Sequence, residues 1–146
     1  MTFVTGSVSL ISGVCDAPFN YFNSYNQKNM TINYPHKIDL PFPHLSNRID
    51  VKVKECYLVL QQRHLHYKVI ANYTILEDGI KEPLKANERW IKRRDKITKV
   101  IMFFCNSENR YQVEIEWGDD CSGWMFESQV QAKEFYDIVC DYMIGE

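Results

Sequence analysis

The sequence predicts an α+β fold, in which a mostly antiparallel, curved sheet of about six or seven strands is closed by one C-terminal helix. Three observations lead to this prediction. Apolar and polar residues alternate repeatedly after residue 50, turn-forming residues separate the alternating segments, and a helical repeat occupies the end of the chain. Alternation is the pattern of half-buried strands, whereas a three- and four-residue repeat is that of an amphipathic helix.

The closing helix is predicted over residues 128–144. Ser128 and Gln131 have the spacing of a capping box, in which the serine hydroxyl accepts a hydrogen bond from the amide of the third helical residue. Apolar residues then recur at helical intervals, namely Ala132, Phe135, Ile138, Val139, Tyr142 and Met143. A helix of about four turns is only marginally stable alone, so we expect a sheet to receive this stripe.

The strands are predicted from alternation in the middle of the chain. Residues 51–60 alternate with a slip near Glu55 that fits a β-bulge, and residues 65–75 continue as the second strand of a hairpin. Residues 97–105 and 111–117 are two further strands, and a glycine-bounded turn leads from the second of these to a short aromatic strand at 124–126. Arg89–Arg94 is predicted to be either a short helix or an irregular crossing segment.

The strand, turn, strand and helix that end the chain are similar in outline to a pleckstrin-homology-like domain, where a curved sheet is plugged by the terminal helix. The resemblance is architectural and covers only these last elements. It implies a fold, and fold alone does not assign function.

Composition predicts one domain over residues 1–146, because 146 residues with 45% hydrophobic content can bury one core. Residues 1–35 hold one Asp and one Lys and are predicted to be a strand or an arm. Five cysteines without a close pair favour free thiols in a reducing compartment, hence a cytoplasmic protein. The longest charge-free apolar run, 100–105, is too short for a membrane span.

A basic segment at residues 81–99 is the main candidate binding site. It contains eight cations against three acids, and its candidate contact residues are Arg89, Trp90, Lys92, Arg93 and Arg94. Such a segment can dock an acidic protein, or it can meet phosphates and stack a base. A third interpretation is a solvated edge strand that its charges protect from aggregation. From Glu108 onward ten acids face two bases, so the molecule is electrically two-sided.

A second candidate surface lies in the weakly charged stretch 20–34, which carries the aromatic residues Tyr21, Phe22, Tyr25 and Tyr34. Protein interfaces are enriched in tyrosine and depleted in lysine and glutamate. We expect a partner, or a second copy of the chain, to dock there.

Two sets of residues would support chemistry instead of binding. Asp39, Asp50 and Lys52 loosely match the core of a metal-dependent nuclease, in which carboxylates hold the metal and a lysine steadies the attacking water. His64 and His66 project from one face of a strand and could share a metal, but a zinc site needs three or four ligands and the spacing supplies no third.

These patterns predict a non-enzymatic protein-binding module without a cofactor, of the inhibitor, immunity, adaptor or phage and bacterial accessory type. Its partner would be another protein, and an acidic protein would fit the basic segment. A homodimer is a further alternative. The alternatives are a nucleic-acid or nucleotide-binding protein that uses residues 81–99, and a nuclease-like enzyme that uses the carboxylate set.

Overall fold

The computed structural model describes residues 32–43, 49–76 and 84–145. The predicted α+β class is confirmed, since these residues form antiparallel strands followed by a C-terminal helix. The elements are β1 (His36–Asp39), β2 (Ile49–Leu60), β3 (His64–Ile75), β4 (Leu84–Arg93), a 3-10 turn (Arg94–Lys96), β5 (Lys99–Cys105), β6 (Arg110–Trp117), β7 (Asp120–Phe126) and helix α1 (Gln129–Ile144).

The strands divide between two sheets. The first contains four strands in the order β1-β2-β3-β4, and the second contains three in the order β5-β6-β7. All five neighbouring pairs are antiparallel. Strand neighbours in each sheet are therefore also neighbours in sequence, which is the usual arrangement of consecutive strands.

The predicted bulge in β2 is confirmed. Val53 pairs with Ala71 and Glu55 pairs with Ile70, so Lys54 is the extra residue in the ladder. The bulge explains the slip in the sequence, because one inserted residue is needed to keep Val53 and Cys56 on the same face of the sheet. Cys56 lies in the core, whereas Val53 is 45% exposed.

The predicted start of the helix is also confirmed. Ser128 has extended backbone angles and its Oγ accepts a hydrogen bond from the Gln131 N–H at 3.4 Å. Ala132, Phe135, Val139 and Tyr142 are buried, as the apolar stripe predicts. The helix contacts all three strands of the second sheet, so its stripe is received by a sheet face.

The core between the two sheets is rich in aromatic residues. Tyr67 of β3 contacts Trp90 of β4 and Trp124 of β7, with ring centroids 5.2 and 5.4 Å apart. Trp90 in turn contacts Trp117 of β6 edge to face at 5.3 Å. Phe135 of the helix meets Trp124 at 5.6 Å. These rings join both sheets and the helix into one hydrophobic cluster.

The prediction for Arg89–Arg94 was wrong. These residues continue strand β4 as far as Arg93, and only Arg94 begins the short 3-10 turn. The strand is imposed by β3, which pairs with β4 from His64–Arg93 to Tyr73–Leu84 without a register shift. Tertiary pairing thus decides a segment whose many charges leave its local preference ambiguous.

The four described cysteines are free thiols, of which Cys56 and Cys140 are buried, Cys105 is half-buried and Cys121 is exposed. Among the described residues, no helix is long and apolar enough to cross a membrane.

Candidate functional site

The candidate site is the outer face of the four-stranded sheet, the side that points away from the core. In β3, Leu65, Tyr67 and Val69 are buried, so the intervening side chains project outward. The strand registers align these outward residues in rows across the sheet. One row reads Asp39, Tyr57, Lys68, Arg89; the next reads Lys37, Val59, His66, Ile91; and a third pairs His64 with Arg93.

We use the term outer face for these ten residues. Four of them are cations and one, Asp39, is an acid, while Glu55 lies in the neighbouring row. Lys37 stands 3.9 Å from Asp39 and 4.6 Å from the centre of the Tyr57 ring. Lys68 pairs with Glu55 at 3.1 Å. Arg93 pairs with Asp95 at 2.6 Å. These described ion pairs leave the positive charge of the outer face centred on Arg89.

An exposed apolar residue lies among these charges, on the edge strand β4. Ile91 is 58% exposed, although it stands in the middle row beside His66. The same row continues through Val59, which is half-buried, and Tyr57 adjoins it in the next row. Aromatic and arginine side chains are enriched at protein interfaces, so this mixture of Tyr57, Ile91 and arginines fits a docking surface.

Trp90 and Lys92 do not belong to this surface, although sequence analysis grouped them with Arg89 and Arg93. They alternate onto the opposite face of β4, where the Lys92 ammonium lies 4.7 Å from the Trp117 ring and 5.5 Å from the Trp90 ring. Lys92 also forms an ion pair with Asp120 of β7, and this hydrogen bond holds the pKa of the Asp120 carboxyl below its usual value. The pair ties β4 to the tip of the β6–β7 hairpin.

Arg94 has a different role from the other cations, because its guanidinium joins the end of the helix to the first sheet. Its Nε donates to the Tyr142 carbonyl oxygen at 2.8 Å, and an Nη donates to the Gln62 carbonyl at 3.0 Å. The same group lies 4.5 Å from the Tyr142 ring and 5.8 Å from the Tyr34 ring. These contacts occupy the guanidinium with the protein's own backbone and rings.

The structure does not bring the nuclease-like set together. Asp39 is exposed on β1 opposite Tyr57, and Asp50 lies seven residues farther along β2. At the rise of a strand this separates the two carboxylates by roughly 20 Å. Lys52 follows Asp50 on the same exposed end of β2.

His64 and His66 do share the outer face, as their spacing predicts. Their neighbours across the ladder are Arg93 for His64, and Val59 and Ile91 for His66. Cys56 is buried on the other face of the sheet. In residues 32–43, 49–76 and 84–145, no three His, Cys, Asp or Glu side chains group in a way that could hold a metal.

The aromatic residues Tyr21, Phe22 and Tyr25 lie outside the described residues, as does Lys81 of the basic segment. Their proposed contribution to docking stays a prediction.

Glu114 on β6 is an unusual titratable group that sequence analysis did not find. It is half-buried and accepts a hydrogen bond of 2.6 Å from Gln112 Nε2. Burial, together with the nearby charge of Glu116, raises the pKa of Glu114 to about 7. No sequence signal distinguishes it, because it occupies an ordinary polar position in the alternation of β6.

Comparison of the chain with models of protein families, with curated proteins and with solved structures found no match.

Proposed function

We propose that the protein is a non-enzymatic binding module that docks an acidic protein partner on the outer face of its four-stranded sheet. The observation that carries the proposal is the cross-strand alignment, which sets exposed Ile91 between Arg89 and Arg93 on β4 and beside His66, with Val59 beyond His66 in the same row. Flat sheet faces of this composition suit recognition by surface complementarity, and arginine is among the residues that contribute most to such interfaces.

The distribution of charge supports an acidic partner. The net charge of the chain is −2, yet four of the ten outer-face residues are cationic while the segment from Glu108 onward is strongly acidic. A partner with negative charge would be attracted to one side of the molecule and repelled from the other, which orients the encounter. The four free thiols support a cytoplasmic location, since reducing compartments keep cysteines unpaired.

The position of Trp90 also argues against a nucleic-acid partner. Base stacking needs an aromatic ring exposed beside the cations. Trp90, which would supply that ring, points between the two sheets and contacts Tyr67 and Trp117. Tyr57 is half-buried and already carries the Lys37 ammonium over its ring.

The test compares partner capture by wild-type protein with capture by two outer-face variants, Arg89→Glu and Ile91→Ser. The matched control is Lys96→Glu, which makes the same charge change at an exposed residue outside the outer face. A protein retained by wild type and by Lys96→Glu is then purified and titrated against all four forms. We expect each outer-face variant to weaken binding by at least roughly tenfold, and binding to weaken further as salt rises.

Equal affinity of the purified partner for wild type and Arg89→Glu would overturn the proposal. So would loss of all capture after nuclease treatment, because that result would identify nucleic acid as the ligand. Melting curves of the three variants check that each remains folded.

A further inference from the structure

Within the part of the chain that the structure describes, strand β4 has one open edge. Among the described residues it pairs with β3 alone, and it ends the order of its sheet. An open edge presents unpaired backbone N–H and C=O groups to any extended chain that approaches it.

The register shows which backbone groups point toward this edge. The Arg94 N–H donates to the Arg63 carbonyl oxygen at 2.9 Å, immediately beyond the His64–Arg93 pair. In an antiparallel ladder, hydrogen-bonded pairs alternate with pairs whose backbone groups point away from each other. Counting from Arg94, the alternate residues Leu84, Ala86, Glu88, Trp90 and Lys92 bond to β3. The residues between them direct their N–H and C=O groups to the open edge, and these are Lys85, Asn87, Arg89, Ile91 and Arg93.

These five residues are exposed, and their side chains project from the same side of the sheet as the outer face. Three of them, Arg89, Ile91 and Arg93, belong to the outer face, so the backbone groups that can pair and part of the candidate site lie on the same residues. A strand added at this edge would place its own alternate side chains beside Lys85, Arg89 and Arg93, and one of them beside Ile91.

The charged side chains of β4 favour one kind of strand at its open edge. A second copy of β4 paired antiparallel about Arg89 would set Arg89 against Arg89 and Lys85 against Arg93. Like charges placed directly opposite one another destabilise a strand pair, whereas opposite charges stabilise it. An extended segment with acidic residues at alternate positions reverses the sign of each of these contacts.

We infer that the partner docks by strand addition, in which an extended acidic segment pairs with the open edge of β4 through the backbone of Lys85, Asn87, Arg89, Ile91 and Arg93. The inference rests on the proposed function and specifies how the partner is held. Backbone hydrogen bonds supply the affinity in this mode, and the flanking side chains supply the selection.

The first test uses a synthetic ten-residue peptide in which glutamate alternates with valine, added to the full-length protein. Amide hydrogen exchange is followed residue by residue. We expect the amides of Asn87, Arg89 and Ile91 to exchange at least about tenfold more slowly with peptide. The amides of Glu88 and Trp90, which already bond to β3, should change much less. Uniform protection along β4, or none, would overturn the inference.

The second test uses two methylated forms of the same peptide, one N-methylated at its glutamates and the other at its valines. Because only every second N–H of an added strand faces β4, one form should lose at least roughly tenfold in affinity while the other binds nearly as well as the parent. Equal affinities of the two forms would contradict strand addition, since they carry the same side chains.

A substitution in the protein complements the peptides. Asn87→Pro removes an edge N–H without changing charge, and proline is tolerated on an edge strand when its nitrogen faces solvent. Asn87→Ala is the matched control, because it removes the side chain and keeps the N–H. We expect Asn87→Pro to abolish peptide binding and Asn87→Ala to retain it. If Asn87→Pro does not fold, the comparison of the two methylated peptides tests strand addition by itself.

The outcomes separate the two proposals. A partner whose affinity depends on Arg89 but which produces no alternating protection binds the outer face without strand addition, so the inference fails and the proposed function stands. A captured partner that is indifferent to Arg89→Glu contradicts the proposed function itself.

Discussion

Removing the guanidinium of Arg94 should destabilise the protein, because this group joins the last turn of helix α1 to the β2–β3 hairpin. The Tyr142 hydroxyl, which donates to the Gln61 carbonyl at 2.6 Å, makes a second link that the substitution leaves in place. In Arg94→Ala the carbonyl oxygens of Tyr142 and Gln62 lose their donors, and the Tyr142 ring loses the cation above it. The perturbation therefore acts on folding and leaves the outer face intact.

The size of the expected loss in unfolding free energy depends on how exposed each contact is. The half-buried bond to Tyr142 contributes about 1.5 kcal/mol, the exposed bond to Gln62 about 0.5 kcal/mol, and the ring contact about 1 kcal/mol. The loss is thus about 3 kcal/mol, a large share of the 5–15 kcal/mol that is typical of whole domains. For a chain of this length it corresponds to a fall in Tm of roughly 10 °C.

The assay is thermal and urea unfolding followed by circular dichroism. Arg93→Ala is the matched control, because within the described residues Arg93 pairs with the exposed carboxylate of Asp95 at 2.6 Å, and such surface pairs contribute about 0–1 kcal/mol. Arg94→Lys should recover less than half of the loss, since one ammonium cannot reproduce the planar guanidinium. A Tm for Arg94→Ala within about 2 °C of the Arg93→Ala value would refute the reasoning.

Three further predictions concern stability and accessibility. Because the pKa of Glu114 is raised to about 7 in the folded protein, the folded state holds a proton that the unfolded chain releases, and stability should fall as pH rises from about 4.5 to about 7. Glu114→Gln should therefore gain about 3 kcal/mol over wild type at pH 8 and nothing at pH 4 in urea titrations. An equal gain at both pH values would contradict the shifted pKa. Deleting Lys54 removes the bulge without changing which side chains face the core, so the free energy of unfolding should fall by less than about 1 kcal/mol. Deleting Tyr57 shifts the strand register and should prevent folding. Similar melting curves for the two deletions would show that register does not matter here. Maleimide at about pH 8 should modify Cys121 in the native protein and Cys140 only after unfolding, as peptide mapping by mass spectrometry can check; fast native labelling of Cys140 would place it outside the core.

Elements with strong local signals could be predicted from the sequence. The helix follows from Ser128 and its apolar stripe, and the β2–β3 hairpin follows from alternation on both sides of residues 61–63. The bulge at Lys54 was visible because the phase of the pattern changes there. Each of these signals depends only on residues that are close in the chain.

Features that depend on distant residues could not be predicted. The division into two sheets follows from long-range packing, for which no local pattern exists. The basic segment was treated as one patch, but its strand conformation is imposed by β3, and alternation then sends Arg89 outward and Lys92 inward. Arg94 looked like one more surface cation, because the carbonyl groups that it binds belong to residues 62 and 142.

The positions of the three tryptophans make their intrinsic fluorescence and near-ultraviolet dichroism sensitive to the contact between the two sheets. Trp90, Trp117 and Trp124 are the whole tryptophan content of the chain, and all of them belong to the contact zone between the sheets. Edge-to-face coupling of Trp90 and Trp117 is lost when the two rings separate, so near-ultraviolet dichroism and emission wavelength would report a separation of the two sheets. Binding of a molecule that separates the two sheets, or that stabilises their contact, can consequently be detected on unlabelled protein.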